Sequence, residues 1–124
     1  MGFKAVVPVS SASPGPIGAT TPSTGRFTGL QAGIVSKNAA YTATSADFTI
    51  LCNATTAAFS ITLPTAASQP GRIYNVKKTD ASANAVTIAP NAVDTIDGAA
   101  NRAVGTQFLN VQFQSDGVNG WWVL

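Results

Sequence analysis

From Tyr41 to Leu124 the apolar residues of this chain recur at every second position, in short runs broken by Pro, Gly, Asn and Asp. That rhythm belongs to half-buried β-strands. Phe48, Ile50 and Cys52 alternate with Thr49, Leu51 and Asn53; Phe59, Ile61 and Leu63 alternate with Ser60 and Thr62 until Pro64 ends the run. Tyr74 and Val76 alternate with Asn75 and Lys77, and the polar stretch from Asp80 to Asn84 reads as a hairpin turn into Val86 and Ile88. Asp97-Gly98 reads as a second tight turn, and Asp116-Gly117 as the turn from the run Leu109, Val111, Phe113 into a last strand, Trp121 to Leu124. No window long enough for a helix spaces its apolar residues three and four apart. The expectation is an all-β domain over 36–124, with about six to eight short strands in an antiparallel β-sandwich or barrel-like roll.

The first stretch, 1–35, breaks this rhythm. Pro8, Pro14, Pro16 and Pro22 fall among many Gly, Ser and Thr, and the apolar residues are too sparse for either period. Such a segment has no core of its own and is expected to form an extended N-terminal arm, with a reach on the order of 100 Å at ~3.3 Å per residue. The composition suits a free tail. It also suits an anchor, because Phe3, Val6, Val7 and Val9 make an apolar tip on a polar tether, able to enter a groove or add to a sheet edge of another protein. Arg26, Phe27 and Leu30 form the other patterned piece, near the base of the domain. These seven residues are the candidate partner contacts of the arm.

Charged residues make up 10% of the chain, against ~25% in an ordinary soluble domain. Thr, Ser, Asn and Gln fill the outward strand positions in place of the Lys and Glu that usually keep sheets from pairing. Leu51, Ile73, Phe108 and Trp122 are set among them and are the candidate contacts of an oligomer interface. A small domain gains from such burial, so self-association is expected. The net charge is +2, and the basic residues are dispersed apart from Lys77-Lys78, so no stripe suits a nucleic-acid backbone. No apolar run approaches the ~20 residues of a membrane helix. The opening MGFKAVVPVSSAS is interrupted by Pro8 and has no signal-peptide cleavage pattern. Neither nucleic acid nor membrane is expected as a partner.

Histidine is absent, which removes His-based acid–base catalysis and Ser-His-Asp triads. All five acids are Asp; Asp94 and Asp97 stand three apart in DTIDG, without the further ligands of a calcium loop, and read as turn formers. No glycine-rich phosphate loop occurs. Cys52, the single cysteine, lies on an apolar strand face and reads as a small buried hydrophobe. No catalytic, cofactor-binding or metal-binding residue is assigned, and the expectation is a protein that is not an enzyme. The adjacent Trp121 and Trp122 must point to opposite faces, one into the core and one outward. Two such rings cannot form one stacking platform, so a glycan partner is disfavoured.

From Gly71 onward, GRIYNVKKTDASANAVTIAP, DTIDGAA and QSDGVNGWWVL together resemble a β-rich module of tailed-bacteriophage structural proteins, found at the ends of tail fibres and spikes. YTATSADFTILCNATTAAFSITLP, from Tyr41 to Pro64, is similar to the first half of that module, and IGATTPSTGRFTGL, from Ile17 to Leu30, to linker segments of phage fibres. The resemblance covers most of the chain and rests more on the order and spacing of its pieces than on any single motif. It implies a non-enzymatic virion protein, a homotrimer, whose partner is the major capsid protein or another virion protein. The short arm, in place of a long shaft, favours a capsid decoration or cement protein on the capsid surface. A short tail fibre or spike tip that binds a host-surface receptor or glycan is the alternative.

Overall fold

The computed structural model describes residues 31–124. The arm contacts expected at Phe3, Val6, Val7, Val9, Arg26, Phe27 and Leu30 therefore lie outside the described residues. The compact unit that follows runs from Gln31 to Leu124. It is all-β: β1 Ile34–Lys37, β2 Tyr41–Thr42, β3 Thr49–Cys52, β4 Phe59–Thr62, β5 Ile73–Lys78, β6 Val86–Ala89, β7 Thr95–Ile96, β8 Arg102–Val104, β9 Asn110–Ser115 and β10 Gly120–Val123, with one short 3-10 turn at Ala66–Ser68. The boundary expected after residue 35 falls inside β1.

The strands form two sheets. One has six strands in the order β1-β3-β5-β9-β10-β7, the other four in the order β2-β4-β6-β8. From β1 to β8 the chain changes sheet at every connection, and only β9 and β10 follow one another in the same sheet. Apart from β9 and β10, strands that neighbour each other in a sheet are thus separated along the chain by at least one strand of the other sheet. That detour supplies the crossover that parallel pairing requires, without a helix.

This corrects the expected antiparallel arrangement. Five of the eight strand pairings are parallel, β1–β3, β3–β5, β2–β4, β4–β6 and β7–β10. Three are antiparallel, β5–β9, β9–β10 and β6–β8. It also corrects the hairpin expected between Val76 and Val86, since β5 and β6 lie in different sheets. The polar turn between them does not fold the chain back on β5, because its side chains are bonded to the preceding crossing. Asn84 donates to the Ala54 carbonyl at 2.8 Å, and the Asp80 carboxylate accepts from the Ala54 N–H at 2.6 Å. The Asp97-Gly98 turn forms as expected: both residues have positive φ (49° and 77°), and Ile96 and Ala99 exchange backbone hydrogen bonds across it. Left-handed conformations at both central positions are what a two-residue hairpin turn demands.

The alternation read from sequence sorts most of the side chains correctly; Leu109, read in one run with Val111 and Phe113, is 42% exposed because it lies in the turn before β9, its N–H bonded to the Thr106 carbonyl. Ile50, Cys52, Tyr74, Val76, Val111, Phe113 and Trp121 of the six-stranded sheet join Ile61, Val86, Ile88 and Val104 of the four-stranded sheet in one buried cluster. Within the larger sheet the register sets Val35, Ile50, Val76 and Val111 in one cross-strand row of β-branched residues. Trp121 is fully buried, its ring 5.5 Å from that of Tyr74, and its indole N–H donates to the Pro64 carbonyl at 3.1 Å. Burial of a ring of this size stabilises the fold by several kcal/mol, provided the polar N–H finds a partner.

Candidate interaction face

The outer face of the six-stranded sheet is built by the residues that alternate with the core set. They are Ile34 and Ser36 on β1, Thr49 and Leu51 on β3, Ile73, Asn75 and Lys77 on β5, Asn110, Gln112 and Gln114 on β9, and Trp122 on β10. Lys77 is the single charged side chain among these strand positions. The register then arranges them. Ile73 lies opposite Gln114, and Gln114 opposite Trp122, so that Gln114 bridges the two apolar residues at one end of the face. Leu51 lies opposite Lys77 at the other end, and the Lys77 ammonium sits 5.9 Å from the centre of the Phe108 ring. Between the two ends, the Gln112 amide donates to the Asn75 side-chain oxygen at 2.9 Å.

The four residues singled out from sequence thus fall into two pairs on one surface, Ile73 with Trp122 and Leu51 with Phe108. Leu51 and Ile73 are half-buried by their neighbours, while Phe108 is 62% and Trp122 52% exposed. Phe108 also has a positive φ of 63°, a conformation costly for a non-glycine residue, and its N–H donates to the Lys78 carbonyl at 2.8 Å. A bulky ring is held out toward solvent in a strained backbone. Ile34 and Leu124, both mostly exposed, are apolar additions to this side that the sequence reading did not single out.

The acids are engaged in backbone contacts, and Asp116 also reaches this face, its Oδ2 accepting from the Trp122 indole at 3.3 Å. Each of the five accepts a backbone N–H: Asp47 from Thr44, Asp80 from Ala54 and Ser82, Asp94 from Ala66, Asp97 from Val123, and Asp116 from Val118, Asn119 and Gly120. Asp94 and Asp97, close in sequence, hold different segments. Among the described residues no group of three or more metal-ligating side chains occurs. The Val118 and Gly120 N–H groups hold the Asp116 carboxyl below its ordinary range. Burial pushes the Asp47 carboxyl up, but the bonds from Thr44 and Tyr41 outweigh it and the net displacement is downward.

The largest feature that the sequence reading missed is Lys78. It is fully buried and forms an ion pair with Asp80, while the Ser82 hydroxyl lies between that carboxylate and the Ala54 carbonyl. The Lys78 hydrogen bond, followed by that of Ser82, drives the Asp80 carboxyl far below the usual carboxylate range. A signal was available: Lys78 continues the inward parity of Tyr74 and Val76. Nearby, burial pushes the Cys52 thiol up to about 12, which leaves it protonated and unreactive at neutral pH, as a small core residue should be.

A shallow, open pocket of about 300 Å³ lies against Ser36, Lys37, Asn38 and Asn53, at the ends of β1 and β3. It holds no acid. Neither protein-family models nor curated proteins match this chain, so the face and the pocket stand on their own geometry.

Proposed function

We propose that this chain is a non-enzymatic structural protein of a tailed-phage virion. In this reading it is a trimeric capsid decoration protein that seats its β-domain on the capsid surface and clamps neighbouring capsid subunits through the 1–35 arm. The observation that carries the reading is the outer face of the six-stranded sheet, with two apolar corners, a row of amides and one charge. A face of this kind gains ~25 cal/mol for each Å² of apolar surface covered, and its amides can exchange hydrogen bonds with a copy of themselves. The use of all five Asp side chains as acceptors of backbone N–H groups supports the non-enzymatic part, and the order of three follows the resemblance to phage modules. The two sheets are then read as the layers of a sandwich whose larger outer face is the subunit contact.

The test has two parts. Native mass spectrometry of the purified protein should give a trimer, and a monomer at micromolar concentration would overturn the assembly. Particles stripped of the protein should bind it at three-fold or quasi-three-fold head positions, as seen by electron microscopy, and should fail to bind a variant lacking 1–30. The exposed Trp122 ring favours a second reading, a fibre tip that stacks a sugar. Density confined to the tail would select it.

A further inference from the structure

We propose that Asn119 is a latent self-modification site, at which the chain ages by deamidation, and that Asp116 is the clamp that sets its rate. The inference does not depend on the assembly proposed above. Asn119-Gly120 places an exposed asparagine, whose side-chain amide makes no hydrogen bond among the described residues, directly before a glycine. Glycine offers no side chain to hinder attack by its own backbone nitrogen on the preceding amide. In that reaction the Gly120 nitrogen loses its proton to water or hydroxide and forms a bond to the Asn119 side-chain carbon. The bond from that carbon to its NH₂ breaks, ammonia leaves, and a five-membered succinimide remains. Water then opens the ring to aspartate or isoaspartate, with no change of oxidation state.

The fold does not let the chain escape this chemistry by replacing the glycine. A Cβ at Gly120 would stand 2.4 Å from Asp116 Oδ2 and 3.0 Å from Trp122 Nε1. That carboxylate has no freedom to retreat, because its Oδ1 accepts from the N–H groups of Val118, Asn119 and Gly120 at 2.8, 3.1 and 3.0 Å, and its Oδ2 from the Trp122 indole at 3.3 Å. The same contacts provide the protection. The Gly120 N–H, the proton that must leave, is tied to a carboxylate whose negative charge opposes an amide anion beside it. Holding both the proton and the backbone of the nucleophile slows ring closure by about tenfold or more. Once the succinimide opens, a second carboxylate stands on the same turn as Asp116, and the repulsion loosens the start of β10 next to Trp122.

The full-length protein, incubated in mildly alkaline buffer at physiological temperature, is analysed by peptide mass mapping for conversion at Asn119 and for isoaspartate. Conversion is expected at least about tenfold more slowly in the folded protein than in urea, with Asp116→Ala returning the rate most of the way to the unfolded value. Asp116→Ser, which keeps an acceptor and loses the charge without setting a second asparagine before Gly117, should fall between. Equal rates in folded and unfolded protein, or a folded Asp116→Ala with the wild-type rate, would overturn the clamp. Should Asp116→Ala not fold, amide hydrogen exchange on the wild type decides: Gly120 is expected to be protected as strongly as the interior of β9, and an unprotected Gly120 sinks the proposal.

Discussion

The outer faces of the two sheets differ in a way that their shared lack of charge conceals. On the four-stranded sheet the outward residues are Thr42, Ser60, Thr62, Thr87, Ala89 and Ala103, all small and mostly hydroxylated. On the six-stranded sheet they include Leu51, Ile73 and Trp122 among amides. Both surfaces avoid repulsion, but only the second offers side chains large enough to gain substantially from being covered. Low charge alone therefore does not tell the two surfaces apart; side-chain size and register do.

The sharpest way to separate outer faces from common core is Trp121→Ala. Its ring belongs to the cluster that both sheets share, so the variant should lose about 4 kcal/mol in a single denaturant transition. Loss confined to one sheet, seen as two transitions, would break the picture of one core. Next in size, Trp122→Lys should weaken self-association about a hundredfold by analytical ultracentrifugation, while Thr87→Lys on the smaller sheet should leave it unchanged. Equal effects from the two would erase the contrast between the faces.

A smaller effect concerns the corners rather than the faces. The Asp80 and Asp116 carboxyls are depressed in the folded state, so the stability they contribute is present above the unfolded carboxylate value near ~4. As pH falls below that value the unfolded chain takes up protons first, and the contribution is lost progressively toward the lower folded values. Denaturant midpoints measured across this acid range should fall steeply in the wild type and less steeply in Asp80→Asn. Smallest of all, Cys52 in the core should stay unmodified by a thiol reagent at neutral pH and react only on unfolding. Rapid labelling of the folded protein would show that the wall of the core near β3 opens.

Six of the ten strands, β3 to β6, β9 and β10, could be read from period-two runs long enough to show the alternation. Of the other four, β2, β7 and β8 escaped because they are too short to repeat, and β1, as long as β3, because its run Ile-Val-Ser-Lys does not alternate. β2 and β7 have two residues each, and each directs a single large side chain, Tyr41 or Ile96, inward. In the candidate face, Leu51, Ile73 and Trp122 were readable as outward positions on strands. Ile34 was not, since its strand went unseen, and the pairing of Ile73 with Trp122 through Gln114 depends on a register that spans about half the chain.

By itself the sequence determined what neighbouring residues settle among themselves. Alternation divides inside from outside, Asp97-Gly98 makes its turn, and adjacent tryptophans separate to opposite faces, because strand pleating and turn sterics act over a few bonds. Tertiary structure alone decided which strand lies beside which, and in which sense. A half-buried parallel strand and a half-buried antiparallel one show the same alternation, and the choice was made by contacts such as Asp80 to Ala54 and Asn84 to Ala54, far apart along the chain. It also decided that Lys78 and Asp80, a pair only two residues apart, are enclosed together, with the carboxylate tied to the Ala54 N–H of a distant segment.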